Sequence, residues 1–219
     1  MRFDLSTALG RKNAEHDLMW KDHGFLRLRF QNKHWISEQL VRTNQPSPVQ
    51  IKAWADAGIR TMVNLRGGLQ SGFHALEVEA CEHYGITLEN FTVRSRDTHS
   101  AEEIFAAKDL FARIQYPALI HCKSGADRAG FMAALYMYFV QGQPIEQAMQ
   151  QLSFKYLHIK AGKTGMLDFF FQTYLDFAAV TPISFTDWLE TEYDRAEVKA
   201  AFMHSWWGNW LVDRALRRE

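Results

Sequence analysis

Ala118-Leu119-Ile120-His121-Cys122-Lys123-Ser124-Gly125-Ala126-Asp127-Arg128-Ala129-Gly130 is the stretch on which the reading of the whole chain turns. Apolar residues that suit a strand lead into a short polar loop, and an apolar run from Ala129 to Val140 follows, so the sequence predicts strand, loop and helix in succession. Backbone N–H groups of such a loop converge on one concavity, and the helix start adds partial positive charge there, which favours a phosphate dianion. Arg128 offers a planar fork to two phosphate oxygens, and Gly125 permits a tight backbone approach. The same field favours a thiolate at Cys122, a nucleophile aimed at phosphorus. The competing reading, a cysteine buried as a small hydrophobe before an ordinary helix, leaves the glycine and the arginine without a purpose.

Working outward, strands alternate with helices. Upstream the pattern predicts a strand over Ile36–Val41, a turn through Gln45–Pro48, a helix over Pro48–Ala57 with proline in its first turn, and an apolar strand over Arg60–Leu65. A glycine-rich loop (Gly67, Gly68, Gly72) leads to a helix over Phe73–Tyr84, closed by Gly85. Then come a strand over Thr87–Val93, a polar loop over Arg94–Ser100, a helix over Ala101–Gln115 with Ile104, Leu110, Phe111 and Ile114 as its apolar stripe, and the strand Ala118–His121. Downstream of Arg128 every predicted element is helical: Ala129–Gln141, Ile145–Phe154, Thr164–Ala179 and Phe185–Phe202. This order implies an α/β fold with a mostly parallel central sheet flanked by helices and a helical C-terminal extension. The expected organisation is an N-terminal segment 1–34 packed on the domain, a domain over 35–180 and an extension over 181–219. Within the first segment, Phe25, Leu26, Leu28 and Phe30 fit a strand or a helix face equally.

Composition sets limits. A chain of 219 residues with 47% hydrophobic content can bury a real core. Its 25 basic and 25 acidic residues cancel, so no broad nucleic-acid footprint is expected and anion recognition must be local. No apolar run is long enough to span a membrane, and no leader pattern opens the chain, so a cytoplasmic location is expected. Cys81 and Cys122 are too few for a disulfide scaffold. Histidines are scattered rather than clustered at metal-ligand spacing, and no metal or organic cofactor is expected.

The stretch from His121 resembles the H-C-x-x-G-x-x-R signature of the cysteine-dependent protein tyrosine phosphatase superfamily. The likeness extends to Arg60-Thr61-Met62-Val63-Asn64-Leu65-Arg66 and Arg42-Thr43-Asn44-Gln45-Pro46-Ser47-Pro48, similar to segments of compact dual-specificity members, and to Lys163-Thr164-Gly165, similar to an element of the bacterial branch. Rhodanese-like sulfur-transfer domains have a loop one residue shorter, which sets them aside. The resemblance implies a phosphatase working through a cysteinyl-phosphate on phosphotyrosine, phosphoserine or phosphothreonine protein, or on a phosphoinositide or inositol phosphate. It assigns Cys122 as nucleophile, Lys123, Ser124, Gly125, Ala126, Asp127 and Arg128 as the phosphate cradle, and His121, Arg66 and Lys163 as supporting residues. It also places an acid on the loop one helix before the signature, where Asp97 is the candidate and His99 and Asp127 compete. One position departs: the family often has serine or threonine after the arginine, and here stands Ala129. That leaves a catalytically weak phosphate-binding module as the alternative.

Further features bear on substrate and regulation. Lys123, Arg66, Arg94, Arg96, Lys160 and Lys163 form a candidate basic rim for a substrate with several phosphates, or are solvated surface charges. Tyr156, Phe91 and Phe73 either flank a phosphotyrosine ring or belong to the core. Cys81 reads as structural, with protection of an oxidised Cys122 by a disulfide as the alternative. Trp206-Trp207-Gly208-Asn209-Trp210-Leu211 with Arg214, Arg217 and Arg218 reads as a packed helix, with a membrane-surface segment as the alternative.

Overall fold

The computed structural model describes residues 3–216, with side chains described as far as Trp206. In chain order the elements are α1 (Ala8–His16), α2 (Gly24–Arg27), β1 (His34–Trp35), β2 (Leu40–Asn44), α3 (Pro48–Asp56), β3 (Thr61–Asn64), α4 (Gly72–Tyr84), β4 (Thr87–Asn90), α5 (Ala101–Arg113) and β5 (Ala118–Cys122). There follow α6 (Asp127–Phe139), α7 (Ile145–Ala148), α8 (Met166–Val180), α9 (Phe185–Thr191) and α10 (Arg195–Leu216). The chain forms two compact units, one from residues up to Val93 with Ala112–Ala133, the other from Arg94–Phe111 with the residues from Ala134 onward.

The first unit holds the sheet, in the order β1-β2-β5-β3-β4, parallel except for β1. Every residue of β2, β3 and β5 is buried, as central strands of a parallel sheet require. Alternation assigns their faces. Val41, Met62 and Leu119 lie in register across three strands and join Ile51 and Trp54 of α3 and Ala80 and Cys81 of α4 in one cluster. A capping box at Ser47 and Gln50, with Pro48 behind it, starts α3, and Gly85 in the left-handed region ends α4. β5 lies between β2 and β3 and ends at Cys122, so the loop emerges at the carboxyl edge of the sheet, where parallel α/β sheets hold ligands.

The second unit is helical. Phe170, Phe171 and Tyr174 of α8, Phe185 and Trp188 of α9, and Tyr193 form a cluster of edge-on and tilted rings, and Phe169 meets Phe202 of α10. His158 and Asp168 make a buried pair at 2.6 Å.

Three elements differ from expectation. The first long strand is Leu40–Asn44, not Ile36–Val41, because Ser37 Oγ accepts the N–H groups of Gln39 and Leu40 and turns the chain there. The expected helix over Ile145–Phe154 shortens to α7 and a 3-10 turn at Met149–Gln151. The expected helix over Phe185–Phe202 is two helices, because the Asp194 carboxylate takes the N–H groups of Ala196 and Glu197 and starts α10 afresh. In the first segment, where strand and helix face fit equally, Phe25 to Arg27 fall in the short α2, preceded by α1 and a wide turn through Asp17–Lys21.

Candidate active site

The loop after β5 is shaped from behind. Gln45 N–H donates to the Lys123 carbonyl at 3.4 Å, Asn32 Nδ2 to the Ser124 carbonyl at 3.1 Å, and Arg42 Nη2 to the Gly125 and Ala126 carbonyls at 2.8 and 2.7 Å. In a trans peptide the N–H points opposite to the C=O, so four outward carbonyls turn the amides of Ser124, Gly125, Ala126 and Asp127 the other way. The Gly125 N–H lies 3.2 Å from Cys122 Sγ, so the sulfur sits on the side the amides face. Gly125 has φ +73°, and a Cβ there would lie 2.7 to 2.9 Å from the backbone of Thr43 and Asn44. α6 begins at Asp127, so the first free-ended turn of a 13-residue helix faces the same loop.

Arg128 leaves the first turn of α6 and reaches the Arg66 carbonyl with Nη1 at 3.4 Å, a long contact. None of the ion pairs among the described residues involves its guanidinium. Arg66 is occupied differently. It grips the Asp22 carboxylate with two nitrogens at 2.8 and 2.5 Å, donates to Gln45 Oε1 at 3.0 Å and lies 3.8 Å over the Phe73 ring. Asp22 also meets Arg27 at 2.5 Å and Lys123 Nζ at 3.4 Å. Burial opposes its charge, but Arg66, Arg27 and Lys123 outweigh that and hold the carboxyl below its usual range.

Beneath the loop, His121 is fully buried with Nε2 at 2.8 Å from Glu77 Oε1. The ring N–H is not aligned on that oxygen, so the contact has ion-pair distance without hydrogen-bond geometry. Glu77, on α4, also accepts from Gln45 at 2.7 Å and lies 3.4 Å from His74. Burial again raises the carboxyl, and His121, His74 and Gln45 hold it well below its usual range.

The first unit thus brings together Cys122, Lys123, Ser124, Gly125, Ala126, Asp127, Arg128, His121 and Arg66. Asp97 and Lys163 belong to the second. There Asp97 is bonded by Lys199 Nζ at 2.9 Å, Arg195 Nη2 at 3.2 Å and the Thr98 N–H at 3.0 Å. Partial burial raises the pKa of its carboxyl, but Lys199, the Thr98 amide and Arg195 outweigh that and hold it below its usual range. His99, the competitor, is buried and accepts the Arg94 N–H at Nε2, at 3.1 Å, and burial pulls its pKa down to about 4. Lys163 Nζ lies 5.4 Å above the Trp206 ring, and Arg94 is bound by both oxygens of Glu103 at 2.5 Å. Phe73 serves as the floor under Arg66, and Tyr156 is buried. Cys81 is a free thiol beside Met62, and burial raises its pKa to about 12. Trp207 to Arg218 of the aromatic and basic C-terminal segment fall outside the residues whose side chains are described. Among the described residues no group of three or more His, Cys, Asp or Glu is placed to hold a metal ion, and no helix is long and apolar enough to cross a membrane.

Arg42, Asn32, Asp22 and Glu77 shape the site without having been singled out for it by sequence. An arginine inside a strand otherwise built for burial was the available signal for Arg42, because a buried guanidinium needs acceptors. Asp22 and Glu77 have near neighbours in Arg27 and His74, but the partners that tie them to the site, Arg66 and Lys123 for Asp22 and Gln45 and His121 for Glu77, lie far along the chain.

No curated protein matches the chain significantly. Among solved structures the fold is similar to Tk-PTP in its active form (TM-score 0.52, 14% identity, over 65% of this chain and 97% of that one). It is similar also to TpbA of P. aeruginosa (0.52, 18%, 73% and 88%) and to PTPMT1 (0.50, 16%, 68% and 99%). At these identities the likeness concerns the fold. The family model PTP-SAK, described as "Swiss Army Knife protein, DSP-PTPase phosphatase domain", matches residues 31–161, which exceeds half the chain and encloses the loop just described. By that match the chain belongs to the PTP-SAK family and carries a phosphatase domain of the cysteine-dependent PTP/DSP superfamily.

Proposed function

We propose that the protein hydrolyses phosphomonoesters through a cysteinyl-phosphate, with a phosphorylated protein or a phosphorylated small molecule or lipid as substrate. The observation that carries this reading is the set of four loop carbonyls bound from behind by Gln45, Asn32 and Arg42, which leaves four amides and the Cys122 sulfur facing one concavity. A phosphoryl group seated there has its oxygens on the amides and the Arg128 fork, and its phosphorus above the sulfur. The Cys122 sulfur forms the S–P bond as the ester P–O bond breaks, and the leaving oxygen takes a proton from an acid. Water then attacks phosphorus, giving its proton to the carboxylate that the acid has become, and the S–P bond breaks to release inorganic phosphate and the Cys122 thiolate. Asp97 is the proposed acid, which requires exchange of its Lys199 and Arg195 partners, and Asp127 is its competitor. Glu77 and Arg42 act as positioning residues, through His121 and the loop carbonyls. In this reading residues 35–180 form the phosphatase domain, 1–34 pack on it, 181–219 extend it, and the protein works in the cytoplasm.

A second reading has one specific support. Ala129, fully buried in α6, offers no hydroxyl to the departing sulfur, which suits a module that binds phosphate and turns over little or not at all. Hydrolysis of p-nitrophenyl phosphate separates the two. The parent is expected to turn over, and Cys122→Ser to lose at least about 10⁴-fold in kcat/KM. A parent inert across the pH range, yet binding inorganic phosphate, is the outcome that replaces the enzyme with the module.

A further inference from the structure

Phe3, Ala14 and Leu18 of the N-terminal segment pack on Phe73, Ala75 and Leu76, but the stretch from Trp20 to Phe30 is arranged the other way round. Between Trp20 and Phe30 the large apolar residues face solvent, with Trp20 61%, Leu26 62%, Leu28 52% and Phe30 53% exposed. The polar groups of the same stretch face inward. Asp22 and Arg27 are buried against each other, Arg27 also bonds the Asp22 carbonyl at 2.7 Å, and the Arg27 and Phe30 carbonyls accept from Gln50 and Asn44 at 3.0 and 2.8 Å. Asn32 then bonds the signature loop at Ser124. The segment is therefore fixed by its polar atoms, and the exposed apolar side chains are the face left over.

The charge on that face has one sign. Lys21, Arg29 and Lys33 are exposed, Lys21 with the partly buried Asp17 carboxylate 3.9 Å away, and the single acid between Leu18 and Ser37 is Asp22, which is buried among Arg27, Arg66 and Lys123. The cavity lined by Leu18, Gly24, Leu28 and Gln50 at the base of the segment has a volume of about 10 Å³, too small for a side chain. A folded protein partner anchors its aromatic side chains in pockets. Protruding tryptophan, phenylalanine and leucine interleaved with cations instead suit a fluid layer that closes around them and carries negative charge.

We propose that residues 20–35 form a docking surface for an anionic phospholipid bilayer, with Trp20, Phe25, Leu26, Leu28 and Phe30 entering the interface and Lys21, Arg29 and Lys33 meeting the headgroups. This goes beyond the phosphatase reading and is independent of turnover. Because Asn32 ties the segment to the loop that holds Cys122, docking sets that loop beside the membrane.

Flotation of the full chain with vesicles of phosphatidylcholine, alone or mixed with phosphatidylglycerol, tests it. The expected result is roughly tenfold more protein on the anionic vesicles, reduced by salt. Leu26→Ser/Leu28→Ser is expected to abolish binding on both compositions, and Arg29→Glu/Lys33→Glu to remove only the anionic preference. Thermal melts of both variants should match the parent, because the four side chains are exposed. Equal binding to neutral and anionic vesicles overturns the proposal, as does full binding by the leucine variant, which would locate the anchor elsewhere. A dimer of the parent that Leu26→Ser/Leu28→Ser dissolves, without vesicle binding by the parent, makes the face an interface between copies and overturns it too. So does capture of an acidic phosphopeptide that depends on these residues while vesicles stay bare.

Discussion

The signature loop and the Arg94–Ser100 loop spend their polar groups in opposite ways. In the first, partners behind the chain take the carbonyls of Lys123, Ser124, Gly125 and Ala126, and the amides are left facing inward with the sulfur. In the second, the ionisable side chains are themselves engaged: Asp97 by Lys199, Arg195 and the Thr98 amide, His99 by the Arg94 N–H, and Arg94 by Glu103. A loop prepared from behind is ready for an incoming anion. A loop satisfied from within must first give up partners, and its titration reports those partners before it reports catalysis. Substitutions in the first loop are therefore expected to act on rate directly, and substitutions in the second to act through pH.

Arg128→Ala carries the largest expected effect after loss of the nucleophile. Among the described residues its guanidinium has only the long contact with the Arg66 carbonyl to lose, so the fold should be unchanged while kcat/KM falls by roughly a hundredfold to a thousandfold. A variant within threefold of the parent would break the contrast, because the prepared loop would then not depend on its cation.

Next is the proton donor. A general acid must be protonated to act, so lowering its pKa moves the alkaline limb of the rate profile to lower pH. Lys199 and Arg195 hold Asp97 low, and Lys199→Met is expected to shift that limb to higher pH. Asp97→Asn should abolish the limb and slow a poor leaving group such as phenyl phosphate by about a hundredfold, with p-nitrophenyl phosphate slowed less. If Asp127→Asn abolishes the limb and Asp97→Asn does not, the acid belongs to the prepared loop and the comparison sharpens into one self-sufficient site.

This asymmetry also explains what could be read from the residues alone. Ala118 to Gly130 is legible because strand, loop and helix start are specified by neighbours a few positions apart, and the structure places β5, the turn at Gly125 and α6 there. The register of β2 was not, since Ser37 turns the chain through side-chain bonds that apolar pattern does not reveal. Asp194 split one expected helix into α9 and α10 in the same way. The roles of Arg42, Asp22 and Glu77 depend on partners 83, 44 and 32 residues away, a separation that no local pattern encodes.

Gly125→Ala probes how much the prepared loop depends on its backbone. A Cβ would sit 2.7 Å from the Thr43 carbonyl carbon and 2.8 Å from the Asn44 nitrogen, at a φ of +73° that side chains resist. The expected cost is about 1–3 kcal/mol of stability, with inorganic phosphate inhibiting roughly tenfold more weakly. Equal phosphate affinity with lowered stability would mean the amide cradle survives a shifted β2, and that Arg42 alone suffices to turn the carbonyls.

The smallest effect separates the second loop from the first by stability rather than rate. His99 is buried, its Nε2 accepts the Arg94 N–H, and Tyr193 donates to its carbonyl at 2.6 Å, so protonation of the ring would cost the loop a hydrogen bond. Its folded pKa of about 4 lies below the ordinary 6.5. Below pH 6.5 the unfolded chain takes up a proton that the folded chain refuses, so stability is full above about pH 6.5 and falls as pH drops toward 4. At pH 5.5 the loss from this group is about 1 kcal/mol. Thermal melts of His99→Gln should lack that part of the decline, because glutamine keeps an acceptor for the Arg94 N–H without titrating. A melt profile identical to the parent across this range would mean that the ring is released before the unit unfolds, and that the Arg94–Ser100 loop opens at lower cost than its bonds imply.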